Sequence, residues 1–254
     1  MARLSVCIEM IFRDLPFVER IRALAKAGFP AFEFWSWSGK DLQAIAEAKK
    51  RESLQVAAFG VNTGAPLVDP ASRPTFVEGT RRAIEVAHAL ECKTLIVTVG
   101  NEMAAEPRER QHAAIVEALR AAAPVAEQGG VTLVVEPLNV LVNHKGYYLA
   151  SSAEGFGIVA EVGSPGVRLL YDIYHQQITE GNLIQNITRN IDLIGHFHSA
   201  DVPGRHEFGT GEINYRNVIA AIDEAGYRGY VGLEFGPSTT PEASLAQVKQ
   251  VLSQ

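Results

Sequence analysis

Eight short apolar runs, each followed by a longer segment with helical spacing, constrain the fold of this chain more than any other feature of its sequence. The runs are continuously apolar, which is typical of strands in a parallel sheet that is buried on both faces. They span residues 4–9, 31–35, 54–59, 94–99, 131–136, 167–172, 194–200 and 230–235. Eight strand–helix units in a chain of 254 residues predict an α/β fold, a single-domain (β/α)8 TIM barrel over residues 1–254.

Capping residues mark the ends of several predicted helices. Glycine adopts the left-handed backbone conformation most easily, and a glycine stands where three of the helices are expected to stop: Gly28, Gly129 and Gly226. Ser151 with Glu154 predicts a capping box at one helix start. Thr240 followed by Pro241 predicts the start of the last helix.

The main alternative architecture is an open, doubly wound sheet. Such a sheet is expected to carry a glycine-rich loop after its first strand, to bind a phosphate group. Residues 9–12 read Glu-Met-Ile-Phe and contain no glycine. The closed barrel is therefore the favoured prediction.

The composition narrows the possible partners and the compartment. A formal net charge of −6 without long Lys/Arg runs disfavours nucleic acid as the main partner. No apolar stretch approaches the ~20 residues that span a bilayer, and we expect neither a signal peptide nor a membrane segment. The two cysteines, Cys7 and Cys92, do not suggest a disulfide scaffold, so a cytoplasmic location is expected.

Acidic residues stand at or near the ends of the fifth, sixth and eighth predicted strands, where barrel enzymes carry their reactive groups. Glu136 and Asp172 end their apolar runs and Glu234 is the last residue but one of its run, and each alone can be explained as a capping or ion-pairing group. Three carboxylates buried together would repel one another strongly unless a cation neutralised them. We therefore predict that they hold a metal ion.

The predicted seventh strand adds a histidine to this set. His196 and His198 point to the same side of the strand because side chains alternate, and we favour His198 as the ligand because it lies nearer the C-terminal end. His196 is expected either to contact a metal ligand without binding the metal itself or to face a helix. Three carboxylates and one imidazole favour Mn²⁺ or Mg²⁺, with Co²⁺ as a further option, over a structural zinc ion.

Longer motifs around these residues resemble those of a known protein family. They are residues 136–139 (Glu-Pro-Leu-Asn), residues 171–175 (Tyr-Asp-Ile-Tyr-His) and residues 198–207 (His-Ser-Ala-Asp-Val-Pro-Gly-Arg-His-Glu), which lead into residues 209–215 (Gly-Thr-Gly-Glu-Ile-Asn-Tyr). Over essentially its whole length the chain resembles the hydroxypyruvate isomerase family. That family lies within the xylose-isomerase-like barrels, which also include ketose 3-epimerases and endonuclease IV.

The resemblance implies one divalent metal ion with four protein ligands: Glu136, Asp172, His198 and Glu234. It also implies that Glu136 and Glu234 act as the acid–base pair, that His175 and Arg205 contact the substrate, and that the protein is a homo-oligomer. Many hydroxypyruvate isomerases have Gln at the position of His198, whereas ketose 3-epimerases have His. The resemblance therefore leaves both isomerisation and epimerisation open.

The hypothesis for the reaction is proton transfer through an enediolate. Removing a proton beside a carbonyl and returning it to the neighbouring carbon would convert hydroxypyruvate to tartronate semialdehyde, while returning it to the opposite face of the same carbon would epimerise a sugar. Arg205 would hold the carboxylate of an acid substrate by two hydrogen bonds. A metal-dependent lyase and a non-catalytic sugar-binding barrel are further alternatives, although the latter would not require both Glu136 and Glu234.

An abasic-site endonuclease of the same fold is the least favoured hypothesis for the function. It would need extra histidines after the third and fourth strands, where this chain has Asn62 and Gly100. Trp35 and Trp37, after the second strand, are expected to line the substrate cavity or to contact another subunit of an oligomer.

Overall fold

Eight parallel strands close into a barrel in the computed structural model of the protein, which describes residues 3–253. The strands are β1 Arg3–Cys7, β2 Ala31–Phe34, β3 Gln55–Gly60, β4 Thr94–Val97, β5 Thr132–Val135, β6 Val167–Asp172, β7 Ile194–Ser199 and β8 Tyr230–Leu233. Each strand pairs in parallel with the next along the chain, and β8 closes the barrel against β1. The predicted (β/α)8 barrel is confirmed.

Helices surround the barrel and connect its strands. They are α1 Phe17–Lys26, α2 Leu42–Arg51, α3 Arg73–Leu90, α4 Arg108–Gln128, α5 Ser152–Val162, α6 Ile173–Thr179, α7 Leu183–Arg189, α8 Tyr215–Glu224 and α9 Pro241–Ser253. The connection between β6 and β7 holds two of them, α6 and α7, and α6 begins directly at the end of β6. Within residues 3–253, no helix combines the length and apolar character needed to cross a membrane.

Several strands are shorter than the apolar runs that predicted them, because the chain turns away from the sheet near the barrel rim. Glu9 lies beyond β1, where its carboxylate pairs with Nζ of Lys40 at 2.7 Å. Glu136 lies just beyond β5, but its backbone N–H still bonds to the carbonyl oxygen of Val97 at 3.0 Å. That bond holds Glu136 at the rim, with its side chain at the mouth of the barrel.

The three predicted helix ends are confirmed. Gly28 and Gly226 have left-handed φ angles of 73° and 88°. The helix α4 also ends at Gly129, its C-cap, but Gly129 keeps a helical φ of −77° and the left-handed position falls on Gly130, at 64°. Glycine is needed at 129 for another reason: a Cβ atom there would lie 2.7 Å from the side chain of Ile84.

The predicted helix starts hold as N-caps. Oγ of Ser151 accepts a hydrogen bond from the N–H of Glu154 at 3.2 Å, and Oγ1 of Thr240 accepts one from Ala243 at 3.3 Å. The carboxylate of Glu154 bonds to Arg108 at 2.7 Å, so it serves to link α5 to α4.

The barrel interior has an apolar side and a polar side. The apolar side is a cluster of four buried residues, one from each of β3 to β6: Ala58, Ile96, Val134 and Leu170. The polar side belongs to β1, β2 and β7, which contribute Ser5, Glu33 and His196, all buried. Charged groups inside a protein are costly unless they are paired, so the polar side calls for a specific explanation.

Candidate metal centre and active site

Four side chains meet at the C-terminal end of the barrel, one from the end of each of β5 to β8. Glu136, Asp172, His198 and Glu234 are all buried, and each offers a ligand atom within 4.8 Å of the others. Nδ1 of His198 lies 3.0 Å from Oε1 of Glu136 and 3.4 Å from Oε2 of Glu234. The fold thus brings together the four residues that the sequence pattern singled out as metal ligands.

The two carboxylate oxygens of Asp172 have different surroundings. Oδ1 accepts a hydrogen bond from the N–H of His175 at 3.1 Å and so caps α6. Oδ2 is buried, faces the cluster and has no hydrogen bond within residues 3–253, although the guanidinium of Arg205 pairs with it at 3.7 Å. A buried carboxylate oxygen without a hydrogen bond is costly, and a bound cation would satisfy it.

The charges in the cluster shift the ionisation of its members. Burial raises the pKa of Asp172, against the opposing effect of Arg205. Burial also acts to raise the pKa of Glu234, but the positive charges of His198 and Arg205 outweigh it and lower that pKa below its ordinary value. The three carboxylates and the imidazole form the oxygen-rich donor set that Mn²⁺ and Mg²⁺ prefer, so the residues fit a hard divalent ion.

Glu234 is held in place on both of its carboxylate oxygens. Oε1 accepts a hydrogen bond from Nε1 of Trp35 at 2.6 Å, and Oε2 forms an ion pair with the guanidinium of Arg205. Nε of Arg205 also donates to the backbone oxygen of Glu234 at 3.3 Å, and the guanidinium lies over the ring of Tyr174, 5.0 Å from its centroid. Arg205 has a left-handed φ of 58°, which aims its side chain back at the cluster.

His175 is fixed as a neutral hydrogen-bond donor. Its Nδ1 lies 2.6 Å from Nδ2 of Asn139 and 3.2 Å from the backbone nitrogen of the same residue. Both of these groups can only donate, so Nδ1 accepts and the ring proton sits on Nε2. Burial lowers the pKa of His175 to about 3, which keeps the ring neutral. Nε2 is buried without a hydrogen-bond partner and lies 3.5 Å from Oδ2 of Asp172.

An open cavity of about 670 Å³ leads to the cluster from the C-terminal end of the barrel. Its walls include Trp35, His144, His175 and Arg205 together with Glu136 and Glu234. Among the described residues that line it, Arg205 is the only lysine or arginine. A cavity of this size suits a small-molecule ligand, and the guanidinium of Arg205 suits a ligand with an acidic group.

Comparison with known proteins assigns the family. The profile described as the xylose isomerase-like TIM barrel matches residues 21–254. The chain belongs to this family. The resemblance drawn from the sequence motifs is therefore confirmed.

Relatives within the xylose isomerase-like TIM barrels are similar over nearly the whole chain. Hydroxypyruvate isomerase of Escherichia coli is 33% identical over 252 residues, which cover 96% of this chain and 97% of the relative. A 2-oxo-tetronate isomerase of Pectobacterium atrosepticum is 31% identical, with 96% of each chain covered. These names confirm the predicted enzyme class, an isomerase.

A solved structure with this TIM barrel is also closely similar. The AP endonuclease, family 2, from Brucella melitensis superposes with a TM-score of 0.94 and 32% identity, and the match covers 98% of this chain and 99% of that one.

The barrel also brings into the site residues that the sequence did not single out. Asn139 lies within a quoted motif, but its contact with His175 spans 36 positions and could not be read from spacing. His144 lines the cavity beside His175, with ring centroids 5.2 Å apart. Glu33 contacts His196 and His198 from β2; a lone glutamate within the apolar run 31–35 was the available signal.

The structure also locates three residues for which the sequence left two interpretations open. Trp35 lines the cavity, whereas Trp37 is not among the residues that line it and donates its indole hydrogen bond to the backbone of Val61. His196 contacts Glu33, and it is not part of the four-residue cluster.

Proposed function

We propose that this chain is a divalent-metal-dependent isomerase that converts hydroxypyruvate to tartronate semialdehyde. The observation that carries the proposal is the pair Glu136 and Glu234 within a cluster of four candidate metal ligands, with Arg205 as the one lysine or arginine among the described residues of the cavity wall. The similarity to isomerases over nearly the full chain supports the reaction class. Arg205 supports an acid substrate, because a guanidinium binds a carboxylate by two parallel hydrogen bonds.

Glu136, Asp172, His198 and Glu234 would hold the metal ion, with Mn²⁺ or Mg²⁺ preferred and Co²⁺ as a further option. The bound ion would polarise the substrate carbonyl and so acidify the neighbouring C–H group. One glutamate takes the proton from C3 of hydroxypyruvate, and a carboxyl group returns a proton to C2. The hydroxyl proton of O3 passes to O2 in the same conversion, so that C3 becomes the aldehyde and C2 the alcohol. Nε2–H of His175 donates a hydrogen bond to a substrate oxygen while the ring stays neutral.

Ketose 3-epimerisation is the second candidate, and two observations favour it. The imidazole of His198 stands in the cluster where the resemblance to hydroxypyruvate isomerases leads one to expect Gln. The cavity of about 670 Å³ also has room for a substrate larger than a three-carbon acid. Glu136 and Glu234 would then serve the two faces of one carbon.

Other classes find less support in the site. A sugar-binding barrel without activity would not need both Glu136 and Glu234 next to one cavity. An endonuclease would be expected to present several cations to the phosphate backbone, and the cavity wall has only Arg205 as a lysine or arginine among the described residues. A lyase would use the same proton abstraction and differs only in the fate of the substrate.

Proton NMR in D₂O of the Mg²⁺-loaded protein with hydroxypyruvate, D-fructose and D-tagatose tests the proposal. Tartronate semialdehyde is expected to form, to be lost in Glu136→Gln and to be retained in Glu9→Gln, whose carboxylate pairs with Lys40 outside the cavity wall. Deuterium entering C3 of a ketose with a new epimer would establish the epimerase instead. No exchange on any of the three by the metal-bound protein would reject both reactions.

A further inference from the structure

A second polar cluster lies inside the barrel, behind the candidate metal centre. It consists of Ser5 on β1, Glu33 on β2, and His196 and His198 on β7. Oε2 of Glu33 lies 2.8 Å from Nε2 of His196 and accepts a hydrogen bond from Oγ of Ser5 at 3.3 Å. All four residues are buried, with Glu33 only 1% exposed. His198 belongs to both clusters and is the only residue that links them.

The two ring nitrogens of His198 face different carboxylates. Nδ1 faces the candidate metal ligands Glu136 and Glu234. Nε2 lies 3.4 Å from Oε1 of Glu33, and neither of these two atoms has a hydrogen-bond partner within the described residues. Both unsatisfied atoms are buried and lie 3.4 Å apart, so a small rotation of either side chain that closes a hydrogen bond between them would satisfy both.

The barrel makes room for Glu33 at one backbone position. A Cβ atom on Gly232 would lie 1.9 Å from Oε1 of Glu33, and Gly232 is the residue of β8 that pairs with His198 of β7. The absence of a side chain at 232 therefore allows the carboxylate to reach His198. This fit indicates that the position of Glu33 is specified by the barrel and is not incidental.

We infer that Glu33 is a positioning residue that sets the tautomer of His198. By accepting a hydrogen bond from Nε2–H, Glu33 leaves Nδ1, which faces Glu136 and Glu234, as the nitrogen that gives up its proton when a metal ion binds. A metal-bound histidine usually donates its second N–H to a carboxylate or a carbonyl, and this contact orients the ring and raises its basicity. His196 and Ser5 hold the other oxygen of Glu33 and so fix the carboxylate itself. The inference rests on the metal centre of the proposed function, but not on the identity of the substrate.

The role of Glu33 can be tested by measuring metal affinity, without an assay of activity. In Glu33→Gln the amide has one accepting oxygen, so it cannot accept from both histidines, and a tautomer of His198 with the proton on Nδ1 becomes accessible. We expect the Kd for Mn²⁺, measured by calorimetry on the purified full-length protein, to rise about 10- to 100-fold. Glu207→Gln is the matched control: Glu207 is equally buried, but its carboxylate bonds to Ser238, and we expect its Kd to stay within about threefold of the wild-type value.

The outcomes separate this inference from the proposed function. If the wild-type protein binds Mn²⁺ and Glu33→Gln binds it equally well, the role of Glu33 is wrong and the metal centre stands. If the wild-type protein binds no divalent ion, both are wrong. Binding of a second ion that Glu33→Gln abolishes would also overturn the inference, because Glu33, His196 and His198 would then form a metal site of their own.

A measurement that does not need Glu33→Gln keeps the inference testable if that variant does not fold. Nitrogen-15 NMR of the histidine rings in the Mg²⁺-loaded protein distinguishes a protonated ring nitrogen from an unprotonated one, with His198→Gln used to assign the signal. We expect His198 to carry its proton on Nε2. A proton on Nδ1, with Nε2 unprotonated, would overturn the inference.

Discussion

The indole Nε1 of Trp35 donates a hydrogen bond of 2.6 Å to Oε1 of Glu234, across the mouth of the barrel from β2 to β8. Trp35 is 48% exposed, so its ring is available to a ligand in the cavity while its N–H is committed to the carboxylate. Arg205 holds the other oxygen of the same carboxylate. The orientation of Glu234 is therefore set by two donors from different parts of the chain.

Trp35→Phe is expected to lower kcat/KM about tenfold. A hydrogen bond to a charged group contributes about 1.5–3 kcal/mol, and the exposure of Trp35 favours the lower end of that range, which is close to a factor of ten in rate. Trp37→Phe is the matched control, because the indole of Trp37 bonds to the backbone oxygen of Val61. Steady-state kinetics of the two variants side by side make the test, and equal losses would contradict a specific role for Trp35.

Arg205→Lys is expected to raise KM for hydroxypyruvate about tenfold or more. Lysine keeps the positive charge but cannot form the two parallel hydrogen bonds that a guanidinium gives to a carboxylate. Arg108→Lys is the control, since Arg108 also pairs with a glutamate and lies over a tyrosine ring, on the outside of the barrel. An unchanged KM in Arg205→Lys would mean that the substrate carboxylate binds elsewhere.

The candidate metal ligands could be predicted from the sequence because each of them ends or lies near the end of an apolar run. These residues lie close together because the closed barrel places the ends of β5 to β8 side by side. The role of Glu33 could not be predicted, because its contact with His198 requires β2 and β7 to face each other across the barrel and requires Gly232 between them. The resemblance implied that Arg205 contacts the substrate, but its ion pair with Glu234 could not be predicted, because it depends on a left-handed backbone conformation at a residue that is not glycine.

Asn139→Asp is expected to lower kcat/KM about 100-fold. The aspartate would accept a hydrogen bond where Asn139 now donates one to Nδ1 of His175, so the ring would move its proton to Nδ1 and lose the donor on Nε2. Loss of one such preorganised donor typically costs a factor of about 10² or more in rate. Asn143→Asp is the control, because within residues 3–253 the side chain of Asn143 bonds through its oxygen, which accepts from Asn139 and Tyr174 and which aspartate retains. Similar kinetics for the two variants would argue against the tautomer of His175 as the cause.

The thiols of Cys7 and Cys92 are expected to be unreactive in the folded protein at pH 8. Burial raises the pKa of Cys92 to about 12, and burial likewise raises the pKa of Cys7. An exposed thiol ionises near pH 8.5, so unfolding would increase the thiolate fraction by orders of magnitude. The native state gains stability from these neutral thiols below about pH 8.5 and loses it as the pH rises toward 12. Titration with a thiol reagent at pH 8 should detect neither cysteine until denaturant is added; rapid reaction in the native state would contradict their burial.

Removal of divalent ions is expected to lower the melting temperature by about 5–10 °C. A ligand present at 100 times its Kd stabilises the folded state by about 2.7 kcal/mol, and each kcal/mol corresponds to about 2–4 °C for a chain of this size. Asp172→Asn isolates the site, because asparagine can still cap α6 through its side-chain oxygen while the carboxylate oxygen that faces the cluster is lost. Thermal unfolding should show a metal-dependent shift in the wild-type protein and little or none in this variant. An equal shift in the wild-type protein and in Asp172→Asn would place the ion outside the cluster of Glu136, Asp172, His198 and Glu234. The proposed metal-dependent mechanism would then be wrong.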